Sequence, residues 1–294
     1  AFKTGLFNIG AAGQYTLGAF GALYCAIVLQ WPWYLCLLAA MLFGAIWGAL
    51  PGIFKAYLNI NEVITAIMFN WIGLYMVNDI MYGKGKSPMY DLASTKTYSL
   101  RKAAPQAMIP SLGMSELFGK LQSVTIAIFI AIFFAIAVYI ILNKTAFGYE
   151  LRACGFNKNA ARYAGINEKR NIILAMMISG ALAGVGAGLY YLSTVAEWNP
   201  QVSTALPAMG FNGISTALLA CSNPIGTIFS SLFISYITVG GTKLSTQYYT
   251  KEIADVITAL IIYLCAFSLL FKNKIRALLV GKAKRVSVGK GGDD

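Results

Sequence analysis

The chain has 294 residues, 58% of them apolar and only 12% charged, with a mean hydropathy of +0.65 and a formal net charge of +12. A soluble domain carries about twice that share of charge, so an ordinary water-soluble enzyme is excluded and the surplus apolar surface must face hydrocarbon. The complete lack of histidine excludes imidazole-based triads, zinc sites and proton relays, and the excess of Lys and Arg reads as membrane topology, with no nucleic-acid partner.

A bilayer core about 30 Å thick needs roughly 20 mostly apolar residues per helix. On that measure eight segments, A to H, are predicted at 6–29, 33–50, 61–82, 121–142, 171–193, 205–221, 224–241 and 253–271. The expected fold is all-α, a polytopic transmembrane helical bundle over 1–271 followed by a basic tail over 272–294. No signal peptide precedes segment A, and the chain opens without Met at Ala1-Phe2-Lys3-Thr4. The five cysteines, Cys25, Cys36, Cys154, Cys221 and Cys265, form no Cys-x-x-Cys pair and read as packing residues. No metal site and no catalytic residue is expected.

Three stretches hold most of the basic residues: six in 83–120, six in 143–170 and seven in 272–294. One span, D, separates the first two, so they lie on opposite faces, while four spans return the tail to the face of 143–170. Placing those thirteen inside and the six outside makes 81–120 an external loop, 143–171 a cytoplasmic loop and both termini cytoplasmic. The external loop reads equally as a docking surface or as a solvated connector. Its run Gly83-Lys84-Gly85-Lys86-Ser87 lacks the first glycine of a phosphate-binding loop, because position 80 is Ile. Any ATP hydrolysis therefore belongs to a different chain.

Segment C contains Glu62-Val63-Ile64-Thr65-Ala66-Ile67-Met68 and segment H contains Asp255-Val256-Ile257-Thr258-Ala259-Leu260-Ile261. Phe7-Asn8-Ile9-Gly10 in A pairs in the same order with Phe211-Asn212-Gly213-Ile214 in F. With the topology above the two copies cross in opposite directions, an inverted repeat of the transporter kind. D and E precede F, so two helices are expected before A. The expectation is a five-plus-five repeat whose first two helices are missing here.

Asn8, Gln14, Asn70, Asn78 and Asn212 lie in or beside apolar spans, where polar groups need partners or a water-filled cavity. They read either as a hydrophilic path for an uncharged polar solute or as interhelical hydrogen bonding. Glu62 and Asp255 stand near helix starts, where the dipole stabilises them; no acid pair suggests proton or sodium coupling. Gly44, Gly48 and Gly52, and Gly180, Gly184 and Gly188, recur every four residues and predict close helix packing. Pro207, Gly210, Gly213 and Ser222-Asn223-Pro224 interrupt F, as broken helices beside a substrate site do.

In the cytoplasmic loop, Asn157-Lys158-Asn159-Ala160-Ala161-Arg162-Tyr163-Ala164-Gly165-Ile166 predicts two helical turns with a Gly stop. Several blocks resemble the permease subunits of bacterial ABC importers for nucleosides and simple sugars. They are Asn8-Ile9-Gly10-Ala11-Ala12-Gly13-Gln14, Phe147-Gly148-Tyr149-Glu150-Leu151-Arg152-Ala153 with Gly155, Asn157, Ala160-Ala161 and Tyr163-Ala164-Gly165-Ile166, and Ile178-Ser179-Gly180-Ala181-Leu182-Ala183-Gly184. Glu62-Val63-Ile64, Met68-Phe69-Asn70 and Gly210-Phe211-Asn212-Gly213-Ile214 are similar to further blocks of that family. The resemblance covers Leu6 to Phe271 and is strongest to the branch associated with basic-membrane-protein lipoproteins.

That resemblance implies a multi-pass subunit of the bacterial cytoplasmic membrane that moves nucleosides by alternating access. It implies a second, related but different permease chain, a cytoplasmic ATPase that uses ATP and Mg, and an external binding lipoprotein, with no cofactor on this chain. The ATPase-coupling residues implied are Phe147, Gly148, Glu150, Arg152, Ala153, Gly155, Asn157, Ala160, Ala161 and Gly165. The expected substrate path comprises Asn8, Gln14, Glu62, Phe69, Asn70, Trp71, Phe211, Asn212 and Ser215, its amides suited to ribose or base edges and its rings to stacking. Asn159 stands where a broader permease signature has Glu, Ala12 where the family often has Glu, and Asn212 where Asp is usual; the changes at Ala12 and Asn212 each remove a negative charge, although Asn can keep an N-terminal cap or a substrate hydrogen bond. Ribose, another simple sugar or a branched-chain amino acid is the alternative cargo, and an ion-coupled secondary transporter the alternative class.

Overall fold

The computed structural model describes residues 1–82, 87–91, 96–113, 124–199 and 205–242, with 253, 256, 257, 259–261, 263 and 264. Two compact units divide at Ile214. In the first, a 3-10 turn at Phe2–Thr4 leads through Gly5 to α1 (Ala11–Ile27), α2 (Trp33–Leu58) and α3 (Glu62–Tyr82). A hairpin of β1 (Tyr90–Asp91) and β2 (Lys96–Thr97) follows, then the one-turn helix α4 (Leu100–Ala103) and a 3-10 turn at Pro105–Ala107. After them come α5 (Ala127–Lys144), α6 (Ala146–Phe156), α7 (Lys158–Tyr163) and α8 (Glu168–Leu192). Helix α9 (Ala208–Leu219) runs across the division, and α10 (Pro224–Thr242) belongs to the second unit.

Nearly every residue of α1 is buried, which makes it the central helix of the first unit, wrapped by α2, α3 and α8. Its three glycines and small alanines let neighbours approach to backbone distance. A Cβ at Gly18 would fall on Gly184, and one at Gly44 on the carbonyl of Gly180. A Cβ at Gly48 would lie 2.6 Å from the Met176 carbonyl oxygen, and one at Gly52 3.1 Å from the Ile173 Cα. The two four-residue glycine series therefore face each other across α2 and α8, the most extensive helix pair of the fold.

Among the described residues, five helices are long and apolar enough to cross a membrane: Trp33–Leu58, Glu62–Met81, Ala127–Lys144, Glu168–Leu192 and Pro224–Gly241. Two predicted spans contain shorter helices. Segment A begins at Leu6, yet α1 starts only at Ala11, because the Asn8 side chain accepts the Gly10 N–H at 3.0 Å and holds the approach in a turn. The helix in segment F has 12 residues. Segment B was expected to stop at 50, but α2 continues through buried Pro51 to a left-handed stop at Asn59 (φ 52°), held by its packing on α8. Segment D was expected to start at 121; its helix begins at Ala127. Most of segment H, with Asp255 and Thr258 of the repeat motif, lies outside the described residues, as do 83–86, Cys265 and the tail.

The predicted external loop is no solvated connector where it is described. Met89, Leu100, Ala104, Ala107 and Ile109 are buried in one core with α1, α2, α3, α8 and Trp198. The Thr97 N–H and hydroxyl both donate to the Trp198 carbonyl, at 3.0 and 3.1 Å, and the Ile109 N–H donates to that of Leu192 at 3.1 Å. Cys25, Cys36 and Cys154 are buried as expected, whereas Cys221 is exposed, because it sits in the left-handed turn (φ 51°) that ends α9.

Candidate functional site

The first site gathers at the start of α1. Gly10 offers no side-chain cap, so the first-turn N–H groups of α1 need acceptors from elsewhere. Asn70, in the middle of α3, supplies one: its Oδ1 accepts the Gly13 N–H at 2.8 Å, and its Nδ2 donates to the Ile9 carbonyl at 3.0 Å. A Cβ at Gly13 would lie 2.8 Å from the Asn70 Cα, so glycine is required for that approach. Asn8 Nδ2 donates to Gln14 Oε1 at 2.9 Å and to the Ser179 hydroxyl at 2.8 Å, and Gln14 Nε2 donates back to Asn8 Oδ1 at 3.2 Å. Asn8, Gln14 and Asn70 are all buried. This neutral polar network joins α1, α3 and α8 at the point where the chain turns into its central helix.

Gly210, in the first turn of α9, completes the junction. A Cβ there would stand 2.6 Å from the Ala12 nitrogen and 3.0 Å from the Ala11 carbonyl carbon, so the first turns of α1 and α9 meet at backbone distance. These are the two motifs paired in sequence, Phe7-Asn8-Ile9-Gly10 and Phe211-Asn212-Gly213-Ile214.

The other expected path residues are placed differently. Glu62 forms an ion pair with Lys55 at 3.0 Å across the α2–α3 turn, with both side chains mostly buried. Phe69 packs edge-on against Trp47 and Phe54, and its carbonyl accepts the Trp47 indole N–H at 3.1 Å. Trp71 stacks on exposed Tyr75. Phe211 and Asn212 are exposed and Ser215 is half-buried in α9. The structure thus unites Asn8, Gln14 and Asn70 and adds Ser179, which lay inside a recognised block but carried no signal of its partner 171 residues away. Asn78 is buried, and its Oδ1 has no hydrogen-bond partner among the described residues.

The second site is the helical elbow between α5 and α8. Thr145 caps α6 by accepting the Gly148 N–H at 3.1 Å, Asn157 caps α7 by accepting from Ala160 at 3.1 Å, and Asn167 caps α8 by accepting from Arg170 at 3.1 Å. Gly165 takes the left-handed conformation (φ 80°) just past α7. Gly148 is buried where a Cβ would strike the carbonyls of Ile141 and Leu142. Gly155 lies against the Lys3 carbonyl, fastening α6 to the N-terminal turn. Phe147 packs on Leu6, Leu151, Ile172, Ala175 and Met176, while the Glu150 carboxylate accepts from Asn171 at 3.1 Å.

Of the expected coupling residues, Gly148 and Ala161 are buried and set the shape of the elbow, Phe147, Glu150, Arg152 and Ala153 are half-buried, and Gly155, Asn157, Ala160 and Gly165 are exposed. The most exposed large hydrophobic side chains on the elbow are Phe156 and Tyr163, at 91% and 94%, with Tyr149 at 65%. Phe156 was missed by sequence reasoning, since a phenylalanine in an apolar helix reads as core. Exposed aromatics beside Lys158 and Arg162 make a surface suited to another protein. Among the described residues no group of His, Cys, Asp and Glu could hold a metal ion.

Residues 1–266 match the family described as "Branched-chain amino acid transport system / permease component". The chain is 32% identical to the guanosine ABC transporter permease protein NupP of Bacillus subtilis, over 97% of this chain and 79% of that protein. It is 33% identical to the nucleoside ABC transporter permease protein NupB of Lactococcus lactis, over 99% and 80%. The glucose ABC transporter permease protein TsgB13 of Haloferax volcanii is 27% identical, over 92% and 72%. No solved structure matches the chain.

Proposed function

We propose a nucleoside-import function for this chain, which belongs to the family of branched-chain amino acid transport system permease components. The chain is then a multi-pass membrane subunit of an ATP-driven importer, and its cargo is a purine or pyrimidine nucleoside. The observation that carries the cargo is the similarity, at about a third identity and nearly full length, to permeases named for guanosine and for nucleosides. The neutral network of Asn8, Gln14, Asn70 and Ser179 at the α1–α9 junction supports it, because amides and hydroxyls match the donors and acceptors of an uncharged nucleoside.

In this reading this chain supplies eight of the ten membrane segments of a five-plus-five inverted repeat, both of its termini lie in the cytoplasm, and the junction of α1 with α9 lines the path. The ATPase, which brings ATP and Mg, seats on the elbow through Phe156, Tyr163 and the exposed backbone around Asn157 and Gly165. Its closure moves α6 and α7 and, through Gly155 on the N-terminal turn, the approach to α1. A related permease chain completes the membrane dimer; α5, which has no buried residue in the described structure, has surface left to give to lipid or to that partner. An external binding lipoprotein delivers the nucleoside at the opposite end of α8.

The test is uptake of radiolabelled inosine by cells that lack this chain and are complemented with it, with guanosine, ribose, glucose and leucine as competitors. Restored uptake blocked by guanosine alone is expected. No restored uptake, with expression and partner assembly confirmed, would remove nucleosides as the cargo.

A further inference from the structure

A cavity of about 360 Å³ opens where the hairpin and α4 fold over the C-terminal end of α8. It is lined by Tyr98, Ser99, Arg101, Tyr191, Glu197 and Trp198. Small-molecule sites span about 300–1,000 Å³ and combine apolar or aromatic walls with a few placed polar groups. This one is far from the elbow, because α8 has 25 residues and separates its ends by about 37 Å.

The walls are built before any ligand arrives. Trp198 is buried and fixed through its carbonyl by both donors of Thr97, and its ring lies 6.2 Å from that of Tyr191. Tyr191 in turn lies 6.2 Å from Tyr15 of the central helix. Thr194, also in the wall, holds a left-handed backbone (φ 54°) that a β-branched residue adopts at a cost and that clusters at binding sites. The Arg101 guanidinium donates to the Thr194 hydroxyl at 3.4 Å. The Glu197 carboxylate is 44% exposed, and its ion pair with Lys96 is long at 3.8 Å. One cation and one anion on the cavity wall cancel, so the cavity suits a neutral molecule with both donors and acceptors better than a phosphorylated one.

We infer that this cavity is a second nucleoside site, on the face opposite the elbow, in which Tyr98 and Tyr191 flank the base and the Glu197 carboxylate accepts from the ribose diol while Arg101 donates to a base carbonyl. The inference rests on the nucleoside reading above and adds to it a site on this chain that holds cargo before it enters the bundle.

The experiment measures equilibrium binding of radiolabelled guanosine to the assembled transporter in lipid nanodiscs, with neither ATP nor the external lipoprotein. Saturable binding is expected, weakened about tenfold by Glu197→Gln and by Tyr98→Ala, both at exposed positions. Lys96→Ala, which removes the weak ion pair and keeps the carboxylate, should bind as the unaltered complex does. Guanosine monophosphate should bind at least tenfold more weakly than guanosine. Unaltered affinity in both the Glu197 and Tyr98 variants, or no saturable binding by a complex that still imports inosine, would overturn the site alone. A complex that imports no inosine would overturn the nucleoside function and this site with it.

Discussion

The side-chain oxygen of Asn70 accepts the backbone N–H of Gly13 at 2.8 Å, so a residue from the middle of α3 caps the first turn of α1. The same amide donates to the Ile9 carbonyl on the other side of the turn. Asn70→Leu removes both bonds and leaves buried backbone groups unpaired, at a cost of about 1–3 kcal/mol. Thermal unfolding of the purified transporter should shift down accordingly, and inosine uptake should fall with it. A variant that melts and transports as the unaltered protein does would show that neither bond matters.

The glycine faces of α2 and α8 give a paired test within one helix. Gly180→Ala drives a methyl group into the Gly44 carbonyl and should destabilise by about 1–3 kcal/mol, since backbone cannot rotate away as a side chain can. Gly186→Ala meets no atom within 4 Å, and by helix propensity it should be neutral or stabilising by up to about 1 kcal/mol. Equal melting temperatures for the two variants would contradict the packing described.

Lys55 and Glu62 pair across the α2–α3 turn with 18% and 15% of their side chains exposed. Partial burial lifts the pair above an ordinary surface ion pair, and a double-mutant cycle with Lys55→Met and Glu62→Gln should return a coupling of about 1 kcal/mol or more. Additive single-variant effects would mean that the pair is incidental.

Phe156 and Tyr163 project almost wholly into solvent from the elbow. Phe156→Ala and Tyr163→Ala should leave the melting temperature unchanged. Each should weaken copurification of the ATPase by about 2 kcal/mol, as aromatic anchors at protein interfaces do, and substrate-stimulated ATP hydrolysis should fall in parallel. Undiminished copurification in the double variant would place the ATPase elsewhere.

The parts of the fold that depend on local chemistry were legible in the sequence. Continuous apolar runs marked the helices of segments B, C, E and G, and Asn157 with Gly165 marked the two ends of α7. The glycine series of α2 and α8 announced close packing, although only the structure shows that they face each other. Long-range relations were not legible. The Asn8 turn that delays α1 looks like any Asn before an apolar run, and the passage of α2 through Pro51 depends on α8. The hairpin has strands of two residues each, too short for any periodicity, so its burial against Trp198, and the cavity it closes, came only with the structure. The polar residues of the spans were picked out correctly as inward-facing at Asn8, Gln14 and Asn70. Their partners, Gly13, Ile9 and Ser179, belong to contacts that no sequence spacing encodes.

The most direct measurement is ATP-dependent accumulation of radiolabelled inosine in proteoliposomes that contain this chain with its partner permease and ATPase, supplied with the external lipoprotein. Accumulation that requires ATP, stops when this chain is omitted and is competed by guanosine is the result predicted. A fully assembled complex that hydrolyses ATP yet accumulates no inosine would contradict the account.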